Sequence, residues 1–407
     1  MRQDKQHIQN FKTLFTQAFK NEWKAISSDR TVVSVFVSMG LLLLVGYSLI
    51  YGEEVVHDVP IAIIDQDNSR SSREFINMVE LNQSAKIIRG FTTLEDAKPD
   101  FYANKVYGLL VVPKNFEKDL LTNRQTIVSI YSDASNFVLY RAVQGAVVTA
   151  QGYYNGGIKV KRAIASGDSV AAVSPISLIS TSLFNPSAGY GIYLVPTIAS
   201  LALQLIILLA IGILGGDSNI KWITAIEQHV IKPGGSMPIL FGRACLYLVI
   251  FLVIFPIQYG LIFSYFSFPM RASLGAVYIF NLPYIISLVF LGIFISTFFK
   301  RSEDAILFLS VLVIPSLVLT GLTYPYEGFV LSYKYLSELL PSTSGTRGMI
   351  KLTQMGASFE EIKLEWAKLW VLSLFYFILT VLRIRFKARK YGSSKKFRNP
   401  ESSTIVK

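Results

Sequence analysis

The sequence predicts a membrane α-helical protein with six transmembrane helices and an extracytoplasmic α/β domain inserted between the first and second spans. Three observations predict it. Of 407 residues, 52% are apolar and only 16% are charged, a balance too apolar for an ordinary soluble domain. Six uncharged runs approach the roughly 20 helical residues that a hydrocarbon layer about 30 Å thick requires. Between the first two runs, residues 52–191 have soluble composition and enough length for a core of their own. The same composition excludes a disordered chain. The one cysteine, Cys245, excludes an internal disulfide framework and a cysteine-based zinc site.

Residues 1–30 read as an amphipathic helix. Phe11, Leu14, Phe15, Ala18, Phe19 and Trp23 recur at three- and four-residue steps, with Lys12, Gln17, Lys20 and Asn21 between them. An aromatic stripe with cationic flanks suits the cytoplasmic membrane interface. The first span, 31–51, follows without a small-residue cleavage site and is too long for a signal-peptide core, so it is expected to remain as an anchor. The other five runs fall within 192–382, approximately Tyr193–Leu214, Leu246–Phe263, Gly275–Phe299, Ala305–Leu322 and Trp370–Leu382.

Lysine and arginine set the orientation. Arg2, Lys5, Lys12, Lys20, Lys24 and Arg30 precede span one, Lys300 and Arg301 separate spans four and five, and a basic tail, 383–407, follows span six. The positive-inside bias puts both termini in the cytoplasm and residues 52–191 and 323–364 outside. The formal net charge of +12 is thereby explained by anionic lipid headgroups, with no nucleic-acid partner.

Within 52–191, VPIAIIDQD, AKIIRGF, YGLLVVP and TIVSIYSDAS read as strands. SRSSREFINMVEL, TLEDAKPDFYANK and KNFEKDLL read as helices between them, and a further helix runs from about Asn136 to Ala165. Strand and helix in alternation predict a small α/β sandwich with a mixed sheet. Asp65, Asp67 and Asp133 stand at strand ends, where acidic residues cap helices and form turns; no matched acid/base partner accompanies them. In the outer segment 323–364, Phe329, Val330, Tyr333, Leu336, Leu339 and Leu340 form an apolar face ended by Pro341, and a second helix is expected from Ser342 to Lys351.

The search for chemistry returns little. His7, His57 and His229 form no ligand set. No phosphate-binding G-x-x-x-x-G-K-[ST] loop occurs in the sequence. The span centres carry no ionisable residue, only neutral polar ones, notably Gln204, Gln258 and Asn281. These are candidates for the pathway or for bonds between helices. Without intramembrane charge an ion-coupled carrier is disfavoured, and energy for transport has to come from elsewhere.

The cytoplasmic segment 215–243 contains a short helix with Trp222, Ile226 and Val230 on one face, ended by Pro233. Its TAIEQHVIKP, followed by SMPILFGRACLY, resembles the G-T-x-E-Q-L-L-x-x-P and Gly-Lys pattern of ABC-2-type permeases, the transmembrane subunits of ATP-binding-cassette exporters. By position, Thr224 and Ala225 stand for the family's Gly-Thr, Glu227 and Gln228 match its Glu-Gln, Pro233 its proline, and Gly242 with Arg243 its Gly-Lys. VPIAIIDQDNSRSSREF and LFNPSAGYGIYLVP resemble the opening of the outer domain and the lead into span two of the multidrug-exporter branch.

The resemblance implies that the segment 215–243 is a loop coupled to a separate ATPase. ATP and Mg would be held by that partner, with no cofactor on this chain. It implies a bacterial cytoplasmic (inner) membrane, a dimer with a second permease copy or paralogue, and a drug, lipid or envelope-related substrate. A periplasmic adaptor and an outer-membrane channel belong to the same implication. It also implies that the outer helices of 323–364 dip into the outer leaflet. Two other classes stay open. A membrane-anchored receptor or scaffold needs a cytoplasmic effector domain, where this sequence has tails and short loops; an ion-coupled carrier meets the objection of the uncharged spans.

Overall fold

The computed structural model describes residues 2–51, 56–103, 105–132, 137–167, 184–185, 189–215, 236–299 and 301–398. In chain order the described elements are α1 (Arg2–Ser28), α2 (Arg30–Ile50), β1 (Val59–Asp65), α3 (Arg70–Glu80), β2 (Ala85–Ile88), α4 (Leu94–Tyr102) and β3 (Gly108–Val112). There follow α5 (Phe116–Leu121), β4 (Ser129–Ser132), α6 (Phe137–Ser166), α7 (Tyr190–Ile213), α8 (Met237–Tyr265) and α9 (Leu274–Ser296). The last are α10 (Ser302–Leu319), α11 (Leu331–Glu338), α12 (Pro341–Thr353) and α13 (Phe359–Arg398). The chain divides into two compact units, Met1–Gly52 with Gly189–Lys407, and Glu53–Ala188.

The second unit is a four-stranded sheet in the order β2-β1-β3-β4, with β1 parallel to both neighbours and β4 antiparallel to β3. β1 is central, which is why VPIAIID is buried along its length with little alternation. Phe75, Ile76 and Val79 of α3 and Val143, Val147 and Tyr154 of α6 close one core over the sheet. Ala97 of α4 packs on the opposite side with Ala62, Ile64 and Leu109. Asp65 and Asp67 are turn formers. Asp65 accepts from the backbone of Asp67 and Asn68 and from Ser72 Oγ, and Asp67 accepts from the Glu117 backbone. The bonds to Ser69 and to the Glu117 amide hold the Asp67 carboxyl below its ordinary range against the opposing effect of burial. Asp133 lies outside the described residues, and no cluster of metal-ligating side chains occurs among them.

Among the described residues of the first unit, five helices are long and apolar enough to cross a membrane: Arg30–Ile50, Gly191–Ile213, Met237–Tyr265, Leu274–Ser296 and Phe359–Lys387. The fifth stretch expected from the sequence folds as the 18-residue α10, which is not in that group. Glu303 and Asp304 occupy its first turn, and Gly321 at φ +90° ends the helix before Leu322. Only Ala305 to Leu319 remains apolar, about 23 Å at the helical rise. α7 is the enclosed centre, packed against α2, α9, α10 and α12. Residues 323–364 contain α11 and α12, and α12 is buried over most of its length between α7, α9 and α13. Glu338 of α11 ties this region together, accepting from Tyr326 Oη and pairing with Lys368 at 2.8 Å and Arg347 at 3.6 Å.

Three prolines inside the spans show how apolar helices are pinned. Proline lacks an N–H, so the carbonyl four residues earlier loses its helical donor, a costly loss in hydrocarbon. Each freed carbonyl is taken by a side chain from another helix. For Pro196 it is Ile192 O, which accepts from Gln354 Nε2 at 2.6 Å; for Pro256 it is Leu252 O, from Tyr278 Oη at 2.8 Å; for Pro283 it is Ile279 O, from Trp366 Nε1 at 3.1 Å. Tyr278→Phe is expected to cost about 0.6–2 kcal/mol, the range of interhelical bonds in membranes. In a Pro256→Ala background the carbonyl regains its own donor, so the same change should cost clearly less in melting of the detergent-purified protein. Equal costs in the two backgrounds would contradict the assignment.

Candidate functional site

The N-terminal end of α8 is where sequence and structure meet. Trp222, Thr224, Ala225, Ile226, Glu227, Gln228 and Pro233 lie outside the described residues. Gly242 and Arg243, grouped with that loop in the sequence, belong instead to a helix: Pro238 opens α8, whose first turn is already formed by Met237–Leu240. Both residues face α1, which runs along α8. A Cβ on Gly242 would stand 2.5 Å from the carbonyl oxygen of Phe15 and 3.0 Å from Ala18 Cβ, so only glycine allows this approach.

One residue further on, Arg243 meets Glu22 of α1. Nη2 donates to Oε1 at 2.8 Å, and Nε lies 2.8 Å from Oε2 as an ion contact. Tyr247 Oη donates to the same carboxylate at 3.1 Å. All three are buried, Arg243 at 3% and Glu22 at 7% exposure. An arginine and a carboxylate removed from water together cost much desolvation, which this pair offsets with a two-point contact and a third donor. The joint therefore fixes the register and the separation of α1 and α8 at once.

Glu22 and Tyr247 are the residues that the sequence reading did not single out. The signal was present: Glu22 stands four residues after Ala18 and four before Ile26, on the same buried face, where a lone acid requires a partner. The aromatic stripe behaves differently from the simple amphipathic picture. Ala18 is buried, Leu14, Phe15 and Phe19 are half-buried, and Phe11 and Trp23 are exposed, so the helix presents its aromatic flank away from α8.

The three polar span residues go to three separate contacts. Gln258 sits in a π-helical stretch of α8, Pro256–Ile262, and its Nε2 donates at 2.7 Å to Gly40 O in the π-helical stretch Ser38–Leu42 of α2. Widened turns of this kind are weak points of a helix and recur at functional sites. Asn281 Nδ2 donates to Val277 O and approaches Met349 Sδ at 3.1 Å, tying α9 to α12. Gln204 lines an apolar pocket of about 120 Å³ between α2, α7 and α10, with Tyr47, Ile198, Leu309 and Ser316. It is 3% exposed, and its Oε1 has no hydrogen-bond partner among the described residues. A buried acceptor left unpaired costs about 1–3 kcal/mol, a cost that a donor placed in this pocket would relieve.

The described residues thus hold a buried ion-pair joint at one end of a span and an apolar pocket with one unpaired acceptor. Residues 30–382 match the family model described as ABC-2 family transporter protein. No curated protein matches the chain.

Proposed function

The chain belongs to the ABC-2 family of transporter proteins, a family of membrane transport subunits, and from that premise we propose that it is the permease of an ATP-driven exporter. ABC ATPase subunits are the partners that the family implies. In this proposal the ATPases dock on the cytoplasmic loop around Glu227 and hold the ATP and Mg, while a second permease copy or paralogue completes the path. α10 serves as the short fifth of six spans, both termini lie in the cytoplasm of a bacterium, and residues 53–188 lie outside. There they are positioned to meet a periplasmic adaptor that leads to an outer-membrane channel. The substrate is a drug, a lipid or an envelope-related molecule.

The observation that carries this reading is the Glu22–Arg243 joint. A push on the loop enters α8 within two turns of that pair, and the buried contact passes it to α1 and α8 together instead of bending one of them. In a packed, bistable bundle a small displacement of this kind becomes a tilt of whole helices. The pocket at Gln204 would be the stretch of path that the tilt opens and closes, with Oε1 accepting from an amine or hydroxyl of the cargo.

The test is co-purification with the ATPase and measurement of its hydrolysis in proteoliposomes. Glu227→Ala and Pro233→Ala are expected to abolish most of the stimulation while the protein inserts and melts as the wild type does. If both variants keep assembly and stimulation at wild-type levels, the loop is not the docking element and the exporter reading loses its lever.

A further inference from the structure

The α/β unit holds a cavity that its fold does not need. It measures about 350 Å³ and lies between α6 and the segment leading from α5 into β4. Its origin is the length of α6. Val143, Ala146, Val147, Ala150 and Tyr154 are buried, but beyond Tyr154 only Ala163 is, so the helix overhangs its own core.

The floor is apolar, formed by Phe75, Phe116, Ile130 and Val147, residues of the core or packed on it. The rim is cationic: Arg124, Lys159 and Arg162 line the cavity, and no carboxylate does among the described residues. Arg162 is pre-oriented by donation from Nη2 to Leu120 O at 2.8 Å. The side chains of Arg124 and Lys159 have no ion-pair partner among the described residues. Three like charges around one apolar hollow repel one another and focus a positive potential into it. A ligand with an acid at one end and an apolar body relieves the repulsion and covers the floor, and the volume lies within the range of small-molecule sites.

We propose that this cavity binds a small anionic amphiphile, its acid on Arg124, Lys159 and Arg162 and its acyl or aryl body on Phe116, Ile130 and Val147. The inference is independent of transport, because it concerns binding to the α/β unit alone. An adjoining cavity of about 410 Å³ shares Leu120, Tyr154, Ile158 and Arg162 but includes Glu74, which makes it the poorer place for an anion.

The test uses the full chain in nanodiscs of neutral phosphatidylcholine, with a diazirine-bearing fatty acid as probe and its methyl ester as control. After irradiation, mass spectrometry locates the labelled peptides. The acid is expected to label residues 116–130 and 147–162, and the ester is not. Arg124→Glu with Lys159→Glu should cut that labelling about five- to tenfold, a modest factor because the charges are solvated. Val148→Trp, at an exposed position of the lining, should block it by filling the space. A diazirine phosphatidic acid placed in the disc identifies the source. Capture at the same peptides assigns the site to membrane lipid, and capture of the free acid alone assigns it to a soluble amphiphile. Equal labelling by acid and ester, labelling that ignores both variants, or no label in these two segments overturns the proposal.

Discussion

Arg243→Ala is expected to loosen α1 from α8 by about 3–5 kcal/mol, the penalty for leaving a buried charge without its partner. The Glu22 carboxylate would keep only Tyr247 Oη as a strong donor, in a site too closed for water to replace a guanidinium. Glu22→Ala should also be destabilising, because it takes the carboxylate away from the buried Arg243 guanidinium. The informative variant removes both charges: Glu22→Leu with Arg243→Met fills the volume without any ion to desolvate, and should restore most of the stability. Amide exchange over residues 10–28, together with melting in detergent, measures the effect. If the single variants melt and exchange within about 1 kcal/mol of the wild type, the pair is not the joint described here. If the double variant recovers stability but not stimulation of the ATPase, the pair carries force as well as structure.

How far this joint was legible in the sequence depends on what each residue answers to. Helix and strand in residues 59–166 could be read because local rules govern them: the buried run VPIAIID, the caps at Ser69 and Thr93, the spacing of Phe75, Ile76 and Val79. The apolar spans were legible for the same reason. The end of α10 was placed three residues late because hydropathy ignores where a helix stops, and Gly321 at φ +90° follows its close at Leu319. Arg243 was noticed through its resemblance to a loop motif, yet its role comes from Glu22, 221 residues earlier. No spacing rule connects two such positions; only the packing of α1 on α8 does. Gln204, Gln258 and Asn281 could be picked out as polar among apolar neighbours. Which of them would bond to a carbonyl, which would reach a sulfur and which would keep an oxygen unpaired among the described residues was decided by the neighbouring helix in each case.

Gly242→Ala is the second large effect, and its sign is the point. In a helix with free space, replacing glycine by alanine stabilises by up to about 1 kcal/mol through backbone entropy. Gly46 of α2 has nothing within 4 Å of its missing Cβ, so Gly46→Ala is expected to be neutral or stabilising. At Gly242 the same methyl would stand 2.5 Å from Phe15 O. The obstacle is helix backbone, which has no rotamer to change, so α1 must shift as a body. Such overpacking costs about 1–3 kcal/mol, enough to outweigh the entropic gain, and Gly242→Leu should cost more. Trimming the neighbouring side chain by Ala18→Gly is not expected to rescue Gly242→Ala, since the carbonyl stays where it is. A shift of α1 also pulls Glu22 away from Arg243, so exchange protection over residues 10–28 should fall in Gly242→Ala as it does in Arg243→Ala. The two changes should then combine less than additively, because either one opens the same contact. Full additivity, or a Gly242→Ala protein more stable than the wild type, would mean that α1 and α8 do not approach as closely as this joint requires.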